Sequence, residues 1–169
     1  MALYYFDASA LVKYYVTEPG STWVRQIINE QDPETDQPRH IILLAEITRV
    51  ETAAGLAVIE RVGRIGKAVR DRAYRRFMSQ FTHRYAIIPL TSEDLATAAY
   101  LTQQHPLKAY DAVQLAVALR YHRLLTDYQH SYIFVSGDDP LIKAARAEGL
   151  STDNPFDHVL PGDTLGRPV

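Results

Sequence analysis

Short apolar runs alternate along the chain with longer stretches whose apolar residues recur at helical spacing. Ala2–Phe6, Ile41–Leu44, Tyr85–Pro89 and Tyr132–Ser136 predict four strands, and Phe156–Leu160 reads as a fifth, shorter one. Ser9–Val16 and Ser21–Glu30 predict helices parted by Glu18-Pro19-Gly20. Further helical patterns fall near 48–60, 64–81, 92–104 and 109–122. A last one covers Pro140–Glu148, with Gly149 at the position where a helix commonly ends. Strands separated by helices imply right-handed crossovers and a mainly parallel sheet covered on both faces. That is an α/β architecture with four or five strands. In such sheets ligands bind beyond the carboxyl ends of the strands.

Length and composition narrow this without redirecting it. A chain of 169 residues suits one domain with a proper core. Residues 1–160 are expected to form it. Pro161–Val169, with two Pro and two Gly, reads as a tail, and Gln31–Arg39 as a surface loop. With 47% hydrophobic and 22% charged residues, the chain is an ordinary soluble globular one. It has no cysteine, which excludes disulfides and cysteine-ligated zinc. The N-terminus enters Leu3-Tyr4-Tyr5-Phe6 without a basic region, so it reads as a strand and not a signal peptide. No apolar run approaches the ~20 residues of a membrane span. A cytoplasmic protein is the expectation.

The net charge of −2 supplies no global field to attract nucleic acid. A local patch would have to do so. Residues 61–76 contain Arg61, Arg64, Lys67, Arg70, Arg72, Arg75 and Arg76 against Asp71 alone. The same segment reads equally well as a solvated helix face.

Chemistry gathers at the acids. Asp7 directly follows the first strand, and Asp138 follows the fourth after Ser136-Gly137. Glu51 and Asp111 stand near helix starts. Carboxylates converging from four segments would raise one another's pKa unless a cation were present. Mg²⁺ takes oxygen ligands, keeps several waters and is held by one or two carboxylates directly. So held, a metal can activate water and neutralise phosphoryl charge. Each acid also has a structural explanation. Asp7 suits an N-cap, Thr48-x-x-Glu51 matches a capping box, and Asp111 suits the positive end of a helix dipole. Pro140 favours the first helical position, which makes Asp139 the expected N-cap and leaves Asp138 without that role. Glu46 competes with Glu51, since five residues place the two about 140° apart on a helix.

The quoted residues resemble the PIN-domain ribonucleases, most closely their VapC-type toxin branch. Tyr5-Phe6-Asp7-Ala8-Ser9-Ala10-Leu11-Val12-Lys13-Tyr14-Tyr15-Val16-Thr17-Glu18-Pro19-Gly20-Ser21 is similar to the family's opening motif. Thr48-Arg49-Val50-Glu51 resembles the second and favours Glu51 over Glu46. Lys108-Ala109-Tyr110-Asp111-Ala112-Val113-Gln114-Leu115-Ala116 resembles the third. Val135-Ser136-Gly137-Asp138-Asp139-Pro140-Leu141, with Ala144-Ala145 and Glu148-Gly149-Leu150 behind it, resembles the fourth. Any one motif is weak, and four in order over roughly residues 3–155 are strong.

The resemblance implies a three-layer α/β/α PIN-like fold and Mg²⁺- or Mn²⁺-dependent cleavage of single-stranded RNA. Asp7 and Asp111 would be the principal metal ligands, with Glu51 and Asp138 completing the pocket directly or through water. Ser9 and Ser136 fall where the family often places a hydroxyl that orients an acid or a water. Arg61, Arg64, Lys67 and Lys108 are the candidate RNA contacts. A homodimer and a cognate antitoxin are the implied partners. In this scheme a metal-polarised water, oriented by Glu51 or Asp138, attacks phosphorus in line and leaves a 5′-phosphate. The extra acid in Gly137-Asp138-Asp139-Pro140 leaves open whether Asp138 or Asp139 is the fourth member.

Two rivals fit less well. An aspartyl-phosphate enzyme of the haloacid-dehalogenase type wants a second Asp two residues after Asp7, where this chain has Ser9. A response-regulator receiver wants paired acids after the first strand, and only Asp7 is there. A non-enzymatic PIN-like module that docks RNA or protein is the other class. The complete acid set favours activity over it. None of the six His lies in a motif, and His105 and His122 read as structural.

Overall fold

The computed structural model describes residues 2–163. Five strands, β1 (Ala2–Phe6), β2 (His40–Ala45), β3 (Ala86–Ile88), β4 (Ile133–Val135) and β5 (Thr152–Asp153), form one sheet in the order β3-β2-β1-β4-β5. All four pairings are parallel. Seven helices accompany them: α1 (Ala8–Tyr15), α2 (Ser21–Asn29), α3 (Thr48–Arg61), α4 (Lys67–Arg84), α5 (Ser92–Gln104), α6 (Ala109–Thr126) and α7 (Asp139–Ala147).

The central strands alternate between two cores, as a period of two requires of a sheet covered on both faces. Tyr5, Leu43, Ala45 and Phe134 pack with α5, α6 and α7. Phe6, Ile42, Leu44 and Val135 pack with α1, α2 and α4. Helix α3 joins that second layer through Leu56 and Ile59, which cluster with Val12 of α1, Val16 just after it and Ala73 of α4. The expected three-layer α/β/α architecture with a parallel sheet is therefore present.

This strand order has a consequence for function. The chain builds outward from β1 through β2 to β3, then crosses back to lay β4 on the other side of β1. The switch point lies between β1 and β4, whose carboxyl ends are Phe6 and Val135. The Asp7 N–H bridges them, donating to the Val135 carbonyl at 3.1 Å.

The structure departs from the expected elements in four places. The fifth strand is Thr152–Asp153, beside β4, and not Phe156–Leu160. Pro155, with its fixed φ, instead opens a 3₁₀ turn over Pro155–His158, capped by the Asn154 side chain, which accepts from Phe156 N–H. The tail is not free where it was expected to begin. Pro161–Asp163 form a second 3₁₀ turn, and Asp163 is wholly buried. Residues 164–169 lie outside the described residues. The capping box at Thr48 does not form, because α3 is capped by Ile47 without a side-chain bond and Thr48 lies inside the helix. Asp138, not Asp139, is the N-cap of α7, accepting from Leu141 N–H at 2.9 Å. The helix begins one residue earlier than the proline suggested, and a missing N–H costs nothing anywhere in a helix's first turn.

Asp163 ties the C-terminal segment down. Helix α2 begins at Gly20, which has no side chain to cap with and a φ of 88°. A Cβ there would collide with the Pro155 carbonyl oxygen, so only glycine fits. Asp163 caps the helix from a distance. It accepts from Gly20 N–H, Thr22 N–H and the Thr22 hydroxyl at 3.1, 2.8 and 2.6 Å. It also accepts from its own neighbour Leu160 N–H at 3.0 Å. Burial alone would push this carboxyl up, but the donors outweigh it and hold its pKa below the usual value. Trp23 of α2 stacks on His158 at 4.3 Å, which completes the clasp.

Candidate active site

At the switch point a cleft of about 440 Å³ is lined by Asp7, Ser9, Lys13, Glu18, Glu51, Asp111, Gly137, Asp138 and Phe156, with Ala8, Val12, Gly55, Val58 and Ile59. Asp7, Glu51, Asp111 and Asp138, expected to converge, do share this cleft. Asp139 is exposed and turns to Asn154, whose amide donates to it at 3.1 Å. Glu46 stands outside, near Leu90.

Asp7 is the most enclosed of the four, at 5% exposure. One carboxyl oxygen accepts from Ala10 N–H at 2.9 Å, so Asp7 does cap α1. Capping and a place in the site are compatible, because the same carboxylate has oxygens to spare. The Ser9 hydroxyl lies 2.8 and 2.9 Å from its two oxygens, and Ser136 donates to Oδ2 at 2.8 Å. Each serine in turn accepts a backbone N–H, Ser9 from Gly137 at 2.8 Å and Ser136 from Asp138 at 3.0 Å. Both hydroxyl protons are thereby aimed at Asp7. Burial nevertheless dominates and pushes its pKa up to about 6, with Asp111 adding repulsion and the three donors opposing.

Glu51 is positioned by a residue that sequence patterns did not single out. The Gln114 amide nitrogen donates to Glu51 Oε2 at 2.6 Å and to the Thr48 hydroxyl at 2.8 Å. Its amide oxygen accepts from the Tyr5 hydroxyl at 2.8 Å. One buried amide thus joins α6, α3 and β1. The signal was present, since Asp111 and Gln114 are three apart on α6 and share a face. Burial pushes Glu51 up to about 7, the Gln114 bond opposes this, and the charges of Asp7 and Asp111 reinforce it. Asp111 is raised by burial and then by Asp138, with Lys108 opposing. Asp111 therefore shares repulsion with each of the other three acids.

Gly137 lines the cleft where a side chain would crowd its neighbours. A Cβ there would meet Phe156 at 3.2 Å, the Ser9 hydroxyl at 3.4 Å and Lys13 Cε at 3.6 Å. Lys13 was foreseeable, being one helical turn beyond Ser9 on the same face of α1. Phe156 was not, because no local pattern reports that a C-terminal turn folds back over the cleft.

The candidate RNA contacts stand outside the cleft lining. Arg61, Arg64, Lys67 and Lys108 are exposed and do not line the cleft. Arg64 lies 3.8 Å from Glu18 at the rim, and Lys108 lies near enough to Asp111 for its charge to oppose that acid's raised pKa. Arg70 pairs with Asp71, and Arg76 stacks on Tyr14. His105 pairs with Glu148 and His122 packs edge-on to Tyr132, both outside the cleft.

The lining donors are all carboxylate, hydroxyl or backbone oxygens apart from one ammonium. Among the described residues no three acids or imidazoles close into a cage around an ion. An open set of oxygen donors, strained by mutual repulsion, fits a hard cation that keeps part of its water, as Mg²⁺ does.

Fold and cleft together define the class: a three-layer α/β/α protein with an acidic cleft at its sheet's switch point. The chain belongs to the PIN-domain family, whose sequence profile matches residues 4–146. It is similar to ribonuclease VapC47 of Mycobacterium tuberculosis, with 28% identity over 151 residues, 89% of this chain and 96% of that protein. Solved structures of the same fold include FitAcB from Neisseria gonorrhoeae, with a TM-score of 0.56 and 17% identity, covering 90% of this chain and 98% of that one. VapC20 of Mycobacterium tuberculosis, described as a toxin that cleaves the sarcin–ricin loop, matches with a TM-score of 0.54 and 12% identity, covering 83% of this chain and 94% of that one. A toxin–antitoxin complex from Klebsiella pneumoniae matches at 0.53 and 18%, covering 92% and 98%. No helix among the described residues is long and apolar enough to cross a membrane.

Proposed function

We propose that this protein is a Mg²⁺- or Mn²⁺-dependent endoribonuclease that hydrolyses single-stranded RNA, and the toxin of a toxin–antitoxin pair. The observation that carries the proposal is the meeting of Asp7, Glu51, Asp111 and Asp138 in one cleft, each drawn from a different segment. Asp7 and Asp111 would hold the ion, with Glu51 and Asp138 completing its shell directly or through water. When bound, a divalent ion lowers the pKa of water and neutralises charge on the phosphoryl group.

The chain's own residues do the rest. Ser9, Ser136 and Ala10 N–H fix the orientation of Asp7 and favour its ionised form. Gln114 fixes Glu51 and favours its ionised form, the form that can accept a proton from an attacking water. Asp138 is held by its cap bond to Leu141 N–H, leaving its second oxygen for the cleft.

Kinship with VapC47 and with toxin–antitoxin structures supports a nuclease with an antitoxin partner. A homodimer is part of the same proposal, on family resemblance.

The test is cleavage of a mixed single-stranded RNA by purified protein with Mg²⁺, with Mn²⁺ and with EDTA, beside Asp7→Asn and Asp111→Asn. Cutting that needs metal and disappears in both variants is the expected result. Folded wild-type protein that binds RNA but cuts none under either metal would replace the nuclease with a silent RNA-binding module.

A further inference from the structure

The acid cleft poses a problem for its own substrate. Five carboxylates line it, those of Glu18 and the four site acids, and an RNA phosphate brings another negative charge. Of the described residues lining the cleft, Lys13 alone is basic.

Lys13 is 2% exposed, an unusual state for lysine and one that burial makes costly. Its ammonium lies 3.6 Å from Glu18 Oε2, a charge pair longer than a good hydrogen bond. Its other neighbour is the ring of Phe156, 3.9 Å from Nζ to the centroid. A ring face attracts the charge without satisfying directional N–H donors as an oxygen does. An ammonium has three donors, so this one retains capacity for an oxygen in the cleft. Its stem runs past Gly137 on the side where Ser9 meets Asp7, which places it beside the acids. Glu18 stands 3.8 Å from Arg64 as well, and so keeps a cationic partner when Lys13 turns away.

Resting on the ribonuclease reading, we propose that Lys13 is the phosphate-binding residue of the cleft, its ammonium taking a non-bridging oxygen of the RNA phosphate seated among the acids. Glu18 and the Phe156 ring hold it in place until RNA arrives. Burial pulls the lysine's pKa down, and Glu18 and Asp7 pull it back toward the charged form.

The experiment measures binding of a short random-sequence single-stranded RNA with a 5′ fluorophore, by anisotropy in EDTA over a series of KCl concentrations. Steady-state cleavage in Mg²⁺ runs alongside. Lys13→Met is expected to lower the slope of log affinity against log salt by about 0.7, the counterions of one phosphate on a single strand. Affinity should fall about tenfold or more, as for a lost hydrogen bond to a charged group, and KM should rise. Lys13→Arg retains the slope. Glu18→Gln separates this from a structural role: it removes the ion pair yet takes a negative charge from the cleft, so RNA should bind as tightly or more tightly. Glu18→Gln that weakens binding as Lys13→Met does would overturn the inference, as would a Lys13→Met slope equal to wild type while wild type cuts RNA. Wild type that neither binds nor cuts RNA would overturn the ribonuclease reading and this inference with it.

Discussion

Gln114 shows how one side chain can set the chemistry of another. Its amide is fully used, donating to Glu51 and Thr48 and accepting from Tyr5. Gln114→Met keeps the volume and removes all three bonds. The Tyr5 hydroxyl retains the Gln114 carbonyl at 3.1 Å, so the loss falls mainly on Thr48 and Glu51. Thermal unfolding should show a destabilisation of about 1–3 kcal/mol, the usual result of orphaning buried polar groups. The informative readout is the pH profile. Gln114 favours the ionised form of Glu51, so without it the pKa rises above its present value of about 7. The acidic limb of RNA cleavage should therefore move to higher pH in Gln114→Met. An unchanged limb would separate Glu51 from the rate.

At the scale of elements, the clasp formed by the last described turns is the least expected part of the molecule. Asp163 serves as the cap that Gly20 cannot be, across more than 140 residues of sequence. Asp163→Ala should cost about 2 kcal/mol, the upper range for a lost cap, because four bonds go together. It should also loosen the cleft wall that carries Phe156, measurable as faster exchange of the amides of Phe156, Asp157 and His158.

The contrast with the rest of the fold explains what could be read from sequence. Strands β1 to β4 and all seven helices were legible, because apolar runs and helical spacing are local signals and the layers follow from their alternation. The four acids were legible because they sit at strand ends or helix starts. The clasp was not: a buried Asp in a Pro- and Gly-rich segment looks like a solvated tail until its partner is known. The role of Thr48 failed for a related reason. A capping box is a local promise, and the tertiary bonds from Gln114 override it. Pro140 points to Asp139 as the cap of α7, and the structure gives that role to Asp138, because the helix starts one residue before the proline.

Over the whole molecule, the raised carboxyls of the site are a source of pH-dependent instability. Asp7 and Glu51 have ordinary values of 3.8 and 4.5 and folded values near 6 and 7. Between those limits the folded state holds protons that the unfolded state has released, so stability falls as pH rises. In metal-free buffer the contribution of these two acids should diminish from about pH 4 to about pH 7, by several degrees in Tm. The double variant Asp7→Asn/Glu51→Gln should flatten that stretch of the curve and unfold at a higher temperature than wild type at pH 7. It should also be inactive. A second expectation follows from competition between protons and metal for the same oxygens. Raising Mg²⁺ should increase the Tm of wild type at neutral pH and shift the acidic limb of cleavage to lower pH, with neither effect in Asp7→Asn/Asp111→Asn.

The switch point between β1 and β4 also sets a schedule. Asp7 stands 129 residues before Ser136, with Gly137 and Asp138 directly after it, and the turn bearing Phe156 comes later still. A nascent chain therefore carries most of the acids long before it carries a cleft. The acids come to share one cleft only when β4 has paired with β1, so the site is a product of the longest-range pairing in the sheet.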